Sequence, residues 1–147
     1  MFKNILIPTD GSDFSEKVVG PAVDMAQAMH AKITAVHVFP RHHISPYGEF
    51  GPSDDLVEAQ MRERATAEGA GYLDRIEAAA KSAGVACERA IVEEDDAWKA
   101  VIETAEAKGC DLIVMATHDR HGLPGLVLGS DTHKVLTHTS IPVLVYH

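Results

Sequence analysis

The stretch KNILIPTD, Lys3 to Asp10, is an unbroken apolar run closed by a proline and an aspartate. A strand buried on both faces reads this way, because helices covering each side leave it no solvated face and hence no polar alternation. Four more stretches repeat the pattern: KITAVHVF (Lys32 to Phe39), VACERAIV (Val85 to Val92), CDLIVMAT (Cys110 to Thr117) and IPVLVYH (Ile141 to His147). Between them, helical spacing of apolar residues predicts helices over Asp13 to His30, Asp54 to Ala83, Ala97 to Lys108 and Asp131 to Thr139. Strands alternating with helices call for right-handed crossovers and a parallel sheet covered on both faces. The fold class is α/β.

Some local features qualify the pattern. Gly20-Pro21 falls inside the first helix, where an interior proline costs roughly 3 kcal/mol, so a kink or a late start is expected. In the second helix, EGAGYL places Gly69 and Gly71 two apart, which predicts either a break or a small face packed closely on the sheet. The segment PRHHISPYGEFGPSDD (Pro40 to Asp55) carries three prolines and two glycines. It reads as the one long loop, where mobility is expected.

Composition sets the class of protein. A chain of 147 residues, 46% hydrophobic and 24% charged, fits a single soluble globular domain with one sizeable core over residues 1–147. Thirteen basic against twenty-two acidic residues leave a net charge of -9. With no local basic cluster, nucleic acid and anionic membranes are not expected partners. The opening MFKNILIPTD resembles neither a secretory signal nor a membrane span, so a cytoplasmic location is expected. Cys87 and Cys110 lack metal-ligand spacing and read as buried free thiols.

In an open parallel sheet, ligands sit beyond the carboxyl ends of the strands, where the strand order reverses. The residues at those ends are PTDGSDFS, HVFPRHH, EEDDAW and THDRHGLPGLVLGSD. If the reversal lies between the first and fourth strands, Asp10, Ser12 and the glycine-rich loop face each other across a nucleotide-sized crevice. Asp10 with Gly11 and Ser12 is also an ordinary turn and helix cap.

NILIPTDGSDFS at one end and DLIVMATHDRHGLPGLVLGSDTHKVLTHTSIPVLVYH at the other resemble the two ends of a universal stress protein, and the similarity runs the length of the chain. The resemblance implies an adenine nucleotide alpha hydrolase-like fold with strand order 3-2-1-4-5. It also implies a homodimer joined through the last strand, Pro142, Val143, Leu144, Val145 and Tyr146, and membership of a family split between ATP-binding and non-binding branches. The binding branch carries Gly-x2-Gly-x9-Gly-Ser/Thr. Laid onto this chain, its first glycine falls on Ala116, its second on Asp119 and its final pair on Gly129 and Ser130. Half of that motif is intact.

The surviving LGSDTHKVL still offers free N–H groups and hydroxyls at a helix start, a favourable place for an anion. Ser130 reads equally as a plain cap. A carboxylate at Asp119 opposes a phosphate there: at ~4 Å a like-charge contact is roughly 4 kcal/mol at an effective dielectric of 20. Turned to solvent, or sharing a metal ion with the phosphates, Asp119 would lose or reverse that effect. Gly122 and Gly125 offer the glycines for a different anion loop, but a short Gly-x2-Gly-x3-Gly-Ser is a weak signal and a plain turn is the simpler reading.

By resemblance, Pro8, Thr9 and Asp10 line the nucleotide turn, Asp10 also being the candidate metal ligand. Val38 meets the base, and Met115, His118, Asp131 and Thr132 complete the candidate site. His118, Asp119, His121, Asp131 and His133 match no assignable metal motif. Ser130 and His133 lack the third group of a hydrolase. The carboxylate run in VEEDDAW reads as a solvated loop with Asp95 or Asp96 capping the next helix, and Trp98 as packing that helix's first turn.

The favoured reading is a regulatory, non-catalytic stress protein whose partly degenerate site binds ATP weakly or another small anionic ligand. The alternative is an ATP-binding switch or slow ATPase using Asp10, Asp119, Gly129 and Ser130 with magnesium.

Overall fold

The computed structural model describes residues 1–41, 54–117 and 129–147. Strands β1 (Asn4–Pro8), β2 (Lys32–Phe39), β3 (Cys87–Glu93), β4 (Leu112–Ala116) and β5 (Val143–Tyr146) alternate with helices α1 (Asp13–Met29), α2 (Asp54–Ser82), α3 (Ala97–Ala107) and α4 (Ser130–His138). The strands form one parallel sheet in the order β3-β2-β1-β4-β5, as expected.

The central strand shows why its sequence is apolar throughout. Ile5, Leu6 and Ile7 are all fully buried. Ile5 and Ile7 join a core with Val18 and Ala22 of α1 and Leu73 and Ile76 of α2. Leu6 joins a second core with Val101 and Ala105 of α3 and Val135 of α4. The sheet is thus covered by α1 and α2 on one face and by α3 and α4 on the other.

Two helix expectations need correction. Helix α1 does not start late: Ser12 is its N-cap, its side chain accepting from Ser15 N at 3.3 Å, and Pro21 lies inside a continuous helix. Buried Val18, Val19, Ala22, Val23 and Ala26 flank the proline on both sides, and their packing on the sheet offsets the lost backbone bond. Nor does α2 break at its glycines. Gly69 is buried against His37 of β2, where a Cβ would stand 2.4 Å from the ring's Cδ2, whereas a Cβ at Gly71 would meet nothing within 4 Å. The close-packing alternative therefore holds at one glycine of the two.

Asp96 occupies the N-cap of α3, but its side chain makes no capping bond. Asp95 instead accepts from Arg41 N at 2.9 Å. Most of the long loop, 42–53, lies outside the described residues. Both cysteines are free, but only Cys110 is buried; Cys87, at the start of the edge strand β3, is half-buried. Among the described residues, no helix is long and apolar enough to cross a membrane.

Candidate ligand cavity at the strand switch point

β2 and β4 flank β1 on opposite sides, so the strand order reverses at β1 and leaves a crevice at the carboxyl ends. A cavity of about 430 Å³ opens there, within the usual range for a small-molecule site. Pro8, Thr9 and Asp10 line it from the end of β1, Val38 from β2, Met115 and Ala116 from β4, and Gly129, Ser130, Asp131 and Thr132 from the start of α4. Ten of the sequence candidates thus come together around one space. His118 and Asp119 lie outside the described residues, as do His121, Gly122 and Gly125.

The β1–α1 turn is held by its own short polar side chains. Asp10 Oδ1 accepts from Ser12 N at 2.9 Å and lies 3.0 Å from Ser15 Oγ. Thr9 Oγ1 accepts from Gly11 N at 3.1 Å. Gly11 has φ +75°, a left-handed conformation open to glycine at little cost. Asp10 is therefore both a turn residue and part of the cavity wall. Behind the turn, His37 Nδ1–H donates to the Thr9 carbonyl at 2.8 Å, which fixes the protonated ring nitrogen, because a carbonyl can only accept. The Tyr72 ring meets His37 edge-on, with centroids 5.3 Å apart.

The start of α4 differs from the simple cap reading. Gly129, not Ser130, is the N-cap, and it offers no side-chain bond. The first intrahelical bond runs from His133 N to Gly129 O at 3.0 Å, so the amides of Ser130, Asp131 and Thr132 have no helical acceptor. Thr132 is only 3% exposed and lines the cavity. Amides and hydroxyls at a helix start form an anion site. The described lining contains two carboxylates, Asp10 and Asp131, and neither Lys nor Arg. A phosphate held here would rest on backbone donors and hydroxyls. No group of three or more His, Cys, Asp or Glu that could hold a metal occurs among the described residues.

Ser15, Val36, Ala97, Trp98 and Val101 also line the cavity and were not sequence candidates. Ser15 could have been found as the hydroxyl three residues after the cap. Ala97, Trp98 and Val101 carry a visible helical stripe, but nothing local says that it faces a ligand space rather than the core.

Comparison with known proteins places this geometry in context. The model of the universal stress protein family matches residues 1–147. A universal stress protein of Methanocaldococcus jannaschii is 32% identical over 99% of this chain and 82% of its own length. The crystal structure of a universal stress protein family member from Burkholderia pseudomallei is 26% identical, with TM-score 0.77 over 98% of this chain and 95% of that one. A universal stress protein solved in complex with cAMP is 25% identical, with TM-score 0.70 over 99% and 97% of the two chains.

Proposed function

This chain belongs to the universal stress protein family, and we propose that residues 1–147 act as one regulatory domain that binds an adenine nucleotide, or a similar small anion, without turning it over. The observation that carries this reading is the cavity itself. Residues from the ends of β1, β2 and β4 and the start of α4 converge on one space, lined by apolar side chains and by a helix start whose first amides have no helical acceptor. The relative bound to cAMP supports an adenine nucleotide as occupant.

Phosphate number matters at such a site. With no lysine or arginine in the described lining, a monophosphate is held by α4 amides and the hydroxyls of Ser130 and Thr132. A triphosphate meets Asp10, Asp131 and, by its motif position, Asp119. It binds more weakly unless a cation accompanies it. Magnesium suits that role, since it takes one or two carboxylates together with phosphate oxygens and water; Asp10 and Asp131 are the carboxylates in the described lining.

β5 is an edge strand, paired with β4 alone among the described residues. Val143, Leu144 and Val145 are half-buried and Tyr146 is 37% exposed. We place the homodimer contact along this edge. A monomer mass in light scattering at micromolar concentration removes that assignment.

The function is tested by calorimetric titration of AMP and of ATP, with and without magnesium, into the protein and into Asp119→Gly. AMP and magnesium-ATP are expected to bind the parent, and ATP without magnesium to bind it at least tenfold more weakly, with recovery of magnesium-free ATP binding in the variant. Failure of both nucleotides in both proteins refutes the nucleotide reading. Steady phosphate release from ATP replaces it with the ATPase alternative.

A further inference from the structure

The cavity wall contains the chain's single tryptophan, the only aromatic residue in the described lining. Trp98 is the second residue of α3 and stands among Val36, Val38, Val101 and Met115. Its ring also packs on α4: the His138 centroid is 4.7 Å away with the planes inclined at 43°, and Lys134 Nζ lies 6.0 Å from the indole centroid. Ser130, Lys134 and His138 follow one another at four-residue steps along α4, so they share a stripe whose first member lines the cavity. The indole is thus braced on the same helix whose N-terminus lines the cavity.

Trp98 Nε1 is fully covered and has no hydrogen-bond partner among the described residues. A donor that water cannot reach is out of reach of a ligand as well. What Trp98 offers the cavity is therefore apolar ring surface rather than a hydrogen bond. Flanking Val36, Val38 and Met115 are aliphatic, and aromatic surface against aliphatic side chains makes a slot for a planar ring. An aromatic face is also tolerant of which heteroaromatic ring stacks on it, because every base has a π-face.

We propose that Trp98 is a specificity-determining residue: it forms the wall on which the planar base of the ligand packs, and through His138 and Lys134 it sets that wall's position relative to the phosphate end at α4. This rests on the nucleotide reading and assigns to α3 a selection for ligands that carry an aromatic ring. Sugar phosphates without a base lack that contact.

The test uses the full chain, with AMP as one probe and ribose 5-phosphate, which has no base, as the other. Affinity for AMP is measured by calorimetry in the parent, in Trp98→Phe, which keeps a ring, and in Trp98→Leu, which keeps apolar bulk without one; thermal melts establish that both variants fold. Trp98→Phe is expected to stay within about threefold of the parent. Trp98→Leu is expected to lose at least about tenfold, as base-on-aromatic contacts do on truncation. In the parent, AMP quenches or shifts the emission of the single tryptophan and ribose 5-phosphate does not. Affinity of Trp98→Leu within twofold of the parent overturns the proposal while leaving the nucleotide reading intact. An equal spectral change with ribose 5-phosphate does the same, since the indole would then report the phosphate end. No AMP binding by the parent overturns both.

Discussion

Gly69 and Gly71 lie two residues apart on one helix, yet alanine should act on them with opposite sign. In a helix interior, alanine is favoured over glycine by about 0.8–1.0 kcal/mol. Gly71 is exposed, and a Cβ there meets nothing within 4 Å, so Gly71→Ala is expected to stabilise by about 1 kcal/mol. Gly69→Ala gains the same propensity but places its Cβ 2.4 Å from His37 Cδ2. His37 is 8% exposed, and its Nδ1–H is tied to the Thr9 carbonyl at 2.8 Å, so the ring cannot swing aside without loss. Overpacking costs about 1–3 kcal/mol, and a weakened His37 bond adds roughly 0.5–1.5 kcal/mol. The net is a destabilisation of about 0.5–3.5 kcal/mol. Urea unfolding of both variants measures the difference, and repeating Gly69→Ala in a His37→Ala background should turn it stabilising. If both alanines shift the midpoint in the same direction, or if the His37 background leaves the sign unchanged, the reasoning from close packing is refuted.

Other outcomes follow from separate parts of the fold. His30 ends α1 with φ +54°, a left-handed conformation that disfavours a side chain; His30→Gly is expected to stabilise by about 0.5–1 kcal/mol, read as a raised thermal midpoint. Thr132→Val keeps the shape of a nearly buried side chain but removes its hydroxyl, and should weaken AMP binding roughly three- to tenfold in calorimetry with little change in melting. Burial, the largest cause in each case, pushes the thiols of Cys87 and Cys110 above their ordinary value of 9.0, with Glu77 adding to the effect at Cys87 and a bond to Thr34 opposing it at Cys110. Raised in the folded state, these groups contribute stability that is complete below pH 9.0 and is lost as pH rises through the folded values, because the unfolded chain ionises first. Chemical denaturation at pH 8 and at pH 10 checks the sign, and alkylation at pH 8 should be much slower in the native protein than in urea.

The alternation of strands and helices was readable from the chain alone because it rests on local periodicity. KNILIPTD has no polar alternation because both faces of β1 are covered, by Val18 and Leu73 on one side and Val101 and Val135 on the other. The strand order was implied by family resemblance, since periodicity cannot rank neighbours. Asp10, Gly11 and Ser12 were legible as a turn because their hydrogen bonds close within a few residues. What the tertiary structure alone decided concerns contacts between distant segments. Pro21 is tolerated because sheet packing on either side of it outweighs one missing bond. Gly69 differs from Gly71 because a strand far away in sequence carries His37 beneath one and nothing beneath the other. Trp98 looked like ordinary helix packing, and its helix does carry a core-facing stripe. Only the crossover from β3 to β4 brings that stripe over the open carboxyl ends of the strands, where the same apolar ring lines a cavity. Local pattern records which face of an element is apolar; the crossovers determine whether that face meets the core or a ligand space.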